Sequence, residues 1–477
     1  MKKSQSNAQK TLIGGGMLMA FTASVLAQQA AFTDSGPAQP APLPAAPKAA
    51  APSATDAGTN APQSIVDQMD NFLGVKIPDA IAKGKFNVNM RLRYEQANEE
   101  GAPGITKNSY APTLRTRFGF TTAPLYGFQG MVEGVNVTAL GPEHNYNAGG
   151  SNAQGARPVV ADPPLTRLDQ AWFGYAYEDY VNAKVGEQRI VLDNHRFVGD
   201  VGWRQNMQTY DSATISSEPI KGLNLYYGYL WDVHRVYGDV SGLSTANEDF
   251  RSDSHLINIS YSGWKYGKFV GYTYLLNLEN AAGAANSSAT YGGYFAGAAP
   301  ISQKISVDYR AEFAYQTDYG DSLLRYDADY YNLELGATVD PFSFGGGIED
   351  LGSGVNSGAG GGRASFRTPL ATLHAFNGWD DVFLTTPANG LRDIYGYAQV
   401  MLPTKIPLRF VYHKYDADYG SGDYGQEFDA VISKKFAKHW NVLVKYAYYQ
   451  GQDAPAPSLA VGNVDIQKFW AQLEFNF

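Results

Sequence analysis

Residues Val464–Phe477 read VDIQKFWAQLEFNF and alternate with a period of two up to the terminal Phe477. Phe469, Ala471, Leu473, Phe475 and Phe477 fall on one face. Lys468, Trp470, Gln472, Glu474 and Asn476 fall on the other. Successive side chains of a strand point to opposite sides. This segment therefore predicts a strand that separates an apolar medium from an aqueous one.

The same alternation recurs along the chain. Phe86, Val88, Met90, Leu92 and Tyr94 oppose Asn87, Asn89, Arg91, Arg93 and Glu95. Leu114, Phe118 and Phe120 oppose Arg115 and Arg117. Ile305, Val307, Tyr309, Ala311, Phe313 and Tyr315 oppose Ser306, Asp308, Arg310 and Glu312. Tyr331, Leu333, Leu335, Ala337 and Val339 oppose Asn332 and Glu334. Val442, Val444, Tyr446 and Tyr448 oppose Asn441 and Lys445. With 33 Tyr and 24 Phe, the chain is rich in rings that suit a headgroup boundary. A soluble β-sandwich also alternates, but does not call for so many long Tyr-rich strands together with a terminal Phe. The pattern predicts an all-β fold: a transmembrane antiparallel β-barrel in the bacterial outer membrane, with lipid outside and water in the lumen. At roughly 22 residues per strand and connection, the chain supplies about 18 strands. Tyr126–Leu140 and Leu168–Tyr177 can be phased either way.

Outside the barrel, residues 1–27 read as a secretory signal. Lys2, Lys3 and Lys10 precede an apolar run, and Val25-Leu26-Ala27 offers a cleavage site. Removing it takes the formal net charge from −9 to −12, which argues against nucleic acid as a partner. Residues 28–63 are Ala- and Pro-rich and predict a disordered periplasmic linker, able to meet a periplasmic partner. In 64–84, Ile65, Val66, Met69, Phe72 and Leu73 have helical spacing, with Ser64 as N-cap and Pro78 as a stop. The barrel takes 85–477. Its expected partners are outer-membrane lipid and, through Phe477, the machinery that assembles such barrels. Gly141–Pro164, Asn280–Ser288 and Tyr415–Gly425 read as loops.

Cysteine is absent, which removes disulfides and thiolate metal sites, and the seven His show no metal-ligand spacing. Neither a metal nor a cofactor is expected. No G-x-S-x-G, H-E-x-x-H, P-loop or dinucleotide fingerprint is present, so an enzyme is not the expectation. A barrel-embedded hydrolase needs only a nucleophile and a His on neighbouring strands, and a plugged adhesion barrel is a further alternative.

Two segments read as neither strands nor simple turns: Gly186–Asn206 (GEQRIVLDNHRFVGDVGWRQN) and Phe366–Asp393 (FRTPLATLHAFNGWDDVFLTTPANGLRD). In the first, Arg189, Asn194, Arg196, Trp203 and Arg204 carry a resemblance to the alginate-export family of outer-membrane proteins. Glu187 departs from it. In the second, His374, Phe376, Gly378, Trp379, Asp380, Phe383, Pro387, Asn389 and Gly390 carry it. The resemblance implies an 18-stranded barrel with an arginine-lined lumen, loops folded over the pore, and passage of an anionic saccharide. Arg91, Arg93, Arg115, Arg117 and Arg310, with Glu312 and Glu334, then line the pore. Arg189, Arg196 and Arg204, with Asn194, Trp203, His374, Trp379, Asp380 and Asn389, form its constriction. Guanidinium grips carboxylates bidentately, so a wall of them can hand an anion from site to site. The same arginines can instead pair with inward Glu95, Asp308, Glu312 and Glu334 and brace the barrel. A porin of broader selectivity, taking up small or neutral solutes such as sugars, is the alternative function.

Overall fold

The computed structural model describes residues 65–149, 153–178, 180–238, 249–281, 283–452 and 464–477. The expected signal, the linker and the Ser64 cap lie outside these residues. Twenty strands follow in chain order: β1 (Lys85–Glu100), β2 (Ser109–Thr121), β3 (Phe128–Ala139), β4 (Leu165–Tyr177), β5 (Val181–Gln188), β6 (Thr209–Ile220), β7 (Leu223–His234), β8 (Phe250–Tyr261), β9 (Lys268–Leu276) and β10 (Ser288–Pro300). The second half comprises β11 (Ile305–Asp318), β12 (Asp327–Val339), β13 (Phe342–Leu351), β14 (Ser353–Val355), β15 (Arg363–Ser365), β16 (Leu391–Leu402), β17 (Ile406–Asp416), β18 (Asp423–Phe436), β19 (Trp440–Gln450) and β20 (Asp465–Asn476).

Eighteen of them form one antiparallel sheet in which each strand pairs with the next and β20 returns to β1. The seam runs from Asn89 opposite Asn476 to Glu100 opposite Asp465. Phe477 extends it, exchanging two 2.9 Å backbone hydrogen bonds with Val88. Closure leaves no free edge, which the membrane interior requires because lipid offers backbone groups no partner. No helix among the described residues is long and apolar enough to cross a membrane. Strands β14 and β15 pair only with each other, as a hairpin in the long β13–β16 connection.

Burial runs opposite to that of a soluble protein. Phe86, Met90, Leu92, Phe118, Phe313, Leu333, Val442 and Val444 are exposed, whereas Arg91, Glu95, Arg115, Glu312, Lys445, Lys468 and Glu474 are buried. The exposed side is the apolar side on every strand phased from sequence. The connections alternate in length, with tight turns such as 221–222 and 340–341 at one end and long loops such as 140–164 and 352–390 at the other. The chain enters and leaves at the tight-turn end, as in barrels whose short turns are periplasmic.

The two weakly phased segments have a local cause. Between Glu133 and Gly134 the β3–β4 register slips, with Glu133 opposite Gln170 and Gly134 opposite Leu168. The extra residue is Asp169, so Asp169 and Gln170 both turn inward and are buried. A bulge of this kind flips the in-out parity of a strand partway along it. On β3, Val135 and Val137 are buried inward while Asn136 is outward and hydrogen-bonds Thr166.

Ahead of β1, α1 (Ile65–Asn71) continues through a π turn (Phe72–Lys76) into α2 (Ile77–Ala82). Pro78 does not stop the helix. It stands in the first turn of α2, where its missing N–H costs little.

Candidate functional site: the loop-lined lumen

The two segments singled out by composition fold into the barrel and zip together. The first is the β5–β6 loop (189–208) and the second is the β15–β16 loop (366–390). Val198 bridges Leu370 in parallel, Gly199 N–H donates to Leu370 O at 2.8 Å, and Thr372 N–H donates to His195 O at 3.1 Å. Gly199 lies so close to Thr372 that any β-carbon would collide with its backbone and hydroxyl. Phe197 and Phe366 then pack on Tyr330 of the wall. Burying rings of this size supplies much of the energy that holds loops inside a water-filled lumen.

Arginines fix the zipped loops to the wall. Arg196 donates to Glu349 of β13 at 2.6 Å, to Thr368 at 3.1 Å and to Asn377 at 3.2 Å. Arg204 reaches Glu95 of β1 through two 3.1 Å contacts and Asp381 at 2.9 Å. Arg189 is bonded to Asp200 within its own loop. Asn194 accepts from Arg196 N–H, and Asn389 lies at the far end of the second loop, its carbonyl accepting from Tyr419.

The arginines expected to line the pore divide into two groups. Arg91, Arg93 and Arg115 are 0% exposed beneath the first loop, and Arg117 is 1% exposed beside them on the wall. Arg91 donates to the carbonyls of Gly202 and Trp203 at 2.9 and 3.0 Å. Arg115 and Arg91 share Glu474 at 3.2 and 3.4 Å, and Arg117 pairs with Asp169 at 3.2 Å. Arg93 donates to Gln472 and lies 4.1 Å over the Trp203 ring. These four are structural anchors with no open face. Arg310 of β11 is different: its side chain is 15% exposed, pairs with Glu312 at 2.7 Å and lies 3.9 Å over Tyr294. Glu312 is itself buried and also accepts from Tyr272, while Glu334 is half-buried and accepts from Tyr395 at 2.6 Å.

At the centre, Trp203 stacks face to face on His374 with ring centroids 4.4 Å apart, and Lys445 of β19 lies 3.7 Å over Trp379. Lys445 Nζ is 2.8 Å from His374 Nε2, and His374 Nδ1 is 2.7 Å from Asp381. With Lys445 donating to Nε2, Nδ1–H donates to Asp381. Burial, reinforced by Lys445, holds this imidazole well below its usual value against the raising effect of Asp381. Burial alone raises the loop carboxyl of Asp381; His374, Lys468 and Arg204 outweigh it and hold it well below the carboxylate range. Lys468 and Arg204 each lie 2.9 Å from this carboxylate. Trp203 and Trp379 are buried here rather than at the rim, and Asp380 is buried beside them with its backbone N–H on Glu427.

Sequence reasoning also missed lumen cations, two of which stand near the tight-turn end. Arg409 of β17 lies 4.1 Å over Tyr397, and Lys184 of β5 lies 4.6 Å over Trp172. Both are half-buried, and both point inward near the tight-turn end. The signal was available: Arg409 shares inward parity with Val411 and His413. It was passed over because LRFVYHKY is apolar on both faces around it.

An 18-stranded closed barrel with an apolar exterior, a charged interior and loops folded into the lumen defines a porin-like outer-membrane β-barrel. Its solved structural neighbours are of that kind. OccAB2 of Acinetobacter baumannii matches with a TM-score of 0.62 at 12% identity, over 84% of this chain and 99% of that one. A BenF-like porin from Pseudomonas fluorescens Pf-5 matches at 0.62 and 14%, over 83% and 100%. OpdK of Pseudomonas aeruginosa, solved with vanillate, matches at 0.59 and 12%, over 82% and 98%. At these identities the likeness is one of fold. No protein-family model matches the chain, and no curated protein does. The alginate-export resemblance gains nothing from these neighbours beyond the barrel they share.

Proposed function

We propose that the protein is a passive outer-membrane porin for the uptake of small hydrophilic solutes, with preference for those bearing a carboxylate. The carrying observation is the pair of half-buried guanidiniums Arg310 and Arg409, each laid on a tyrosine on the inward side of the wall. Stacking fixes the plane of each guanidinium; Arg310 turns its edge to Glu312, which leaves Arg409 as the guanidinium to take a solute carboxylate. Asp308 and Glu334 share this inward wall, so the lumen is zwitterionic rather than uniformly basic. Such a lining suits a small anion that also carries hydroxyl or amino groups. The neighbour solved with vanillate, an aromatic carboxylate, agrees with that class.

Saccharide export through an arginine-lined lumen, the alginate-like reading, is less well supported. An extended polyuronate needs a continuous passage, and the arginines that would guide it are covered by Gly202–Arg204. A hydrolase is disfavoured because His374, central in the site, commits both ring nitrogens to Asp381 and Lys445.

Planar-bilayer recording tests the proposal. Open channels should conduct benzoate-sized carboxylates better than neutral sugars of equal mass, and oligouronate should block weakly. Strong oligouronate block with poor passage of small carboxylates would return the account to polyuronate transport.

A further inference from the structure

The helical segment before β1 has one largely exposed apolar face. Ile65, Met69 and Leu73 recur at steps of four, with Val66 and Phe72 on the same arc, and all are exposed. Asp67, Asp70 and Asn71 take the opposite arc. An uninterrupted α-helix would carry the following isoleucines off that face. The π turn prevents this: Ile77 N–H bonds to Phe72 O, five residues back. The added residue returns Ile77, Ala80 and Ile81 to the arc of Phe72, and leaves Asp79 and Lys83 with the acidic side. A π turn inside a short helix disturbs its hydrogen bonding, and here it restores one continuous apolar stripe.

The position of the segment says what covers that stripe. Gly84 lies against the Phe120 ring, and Phe120 belongs to the outward side of β2. Phe86 packs on Phe118 and Phe120 at 5.6 and 4.9 Å, also on the lipid side. Ala123 N–H donates to Ala80 O at 2.8 Å, pinning α2 to the β2–β3 turn. Across a cleft from Met69 and Phe72 stands Tyr126, 68% exposed. The helix thus leaves the barrel on its outer side, at the tight-turn rim, with its apolar stripe continuous with the lipid belt of β1–β3.

We infer that residues 65–82 form an interfacial helix that lies in the lipid headgroup–acyl boundary on the tight-turn side of the barrel, apolar stripe into lipid and acidic stripe to water. Amphipathic helices bind membranes by burying such a stripe a few ångströms deep. The inference rests on the membrane-barrel reading and is independent of which solute passes.

The chain has no cysteine, so single substitutions can be labelled without background. Full-length Met69→Cys, Ile81→Cys, Asp70→Cys and Asp79→Cys, each carrying an environment-sensitive fluorophore, are reconstituted in vesicles containing lipid brominated near the glycerol end. Val132→Cys, on the lipid face of β3, serves as reference. Quenching several-fold stronger at 69 and 81 than at 70 and 79 is the expected result. Equal quenching at all four, or none at any while Val132→Cys is quenched, overturns the inference and leaves the barrel standing. Loss of quenching at Val132→Cys as well removes the barrel reading and the inference with it.

Discussion

Arg115 on β2 and Arg409 on β17 have the same side chain, inward on strands of the same barrel, yet they do different work. Arg115 has no exposed surface, shares Glu474 with Arg91 and is capped by the first loop. Arg409 is half-buried and stacked on Tyr397 of the neighbouring strand. Inward parity decides that a residue avoids lipid. Whether it meets solute is decided by where a loop of distant sequence comes to rest. A count of inward arginines therefore overstates the basic wall that a solute encounters.

The largest effect should come from removing what holds the loop on the arginine side. Trp203→Ala takes away a buried ring stacked on His374 and covered by Arg93, a loss of about 3–5 kcal/mol of packing. The barrel should still close, because its ladder is unaffected. The β5–β6 loop should lift, single-channel conductance should rise, and limited proteolysis should newly cut within 194–208. Unchanged conductance and protection would mean that the loop does not depend on this anchor.

Breaking the ion pairs on the same side comes next. Glu95→Ala leaves Arg204 buried with one carboxylate fewer, a change expected to cost about 3 kcal/mol, whereas Arg409→Ala should alter stability by no more than about 0.5 kcal/mol. Heat-modifiability on gels should fall for the first variant and hold for the second. Reversal potential in a salt gradient should move toward cations for Arg409→Ala while stability holds. If both variants shift both readouts alike, the two walls are not functionally distinct.

The smallest effect is a pH dependence. Asp381 is held well below the carboxylate range, so its contribution to loop docking is complete above about pH 4, the unfolded value, and is lost as pH falls through its folded value. The part of the conductance that depends on Asp381 should therefore stay constant from neutral pH to about pH 4 and change only below it. Asp381→Asn should remove that acid-side step. A transition near pH 6 that survives in Asp381→Asn would point to another group.

Much of the barrel could be read directly from the sequence, because lipid imposes a two-residue period that local pattern reveals. Phe86–Glu95, Ile305–Tyr315 and Asp465–Asn476 carry that period almost without exception. It was obscured at β4, where Asp169 inserts an extra inward residue, and at β3, where apolar Val135 and Val137 face inward and polar Asn136 faces outward. The two loop segments could be recognised as unusual by composition, and the structure brings them together. What they dock onto could not be read: Glu349 with Arg196, and Lys445 with His374, are 153 and 71 residues apart. The π turn was hidden because Pro78 reads locally as a breaker.

The most direct test of the two-wall account is substituted-cysteine accessibility, for which the cysteine-free chain is suited. Thr113→Cys lies on the loop-covered wall, where Thr113 is buried beneath Gln205. Ser343→Cys lies inward on the open wall, paired with Thr338. A charged, water-soluble thiol reagent should modify Ser343→Cys rapidly, with a step in conductance, and should leave Thr113→Cys almost untouched. Equal rates at the two positions would contradict the account, because they would mean that the arginine wall is as open to solute as the wall of Arg310 and Arg409.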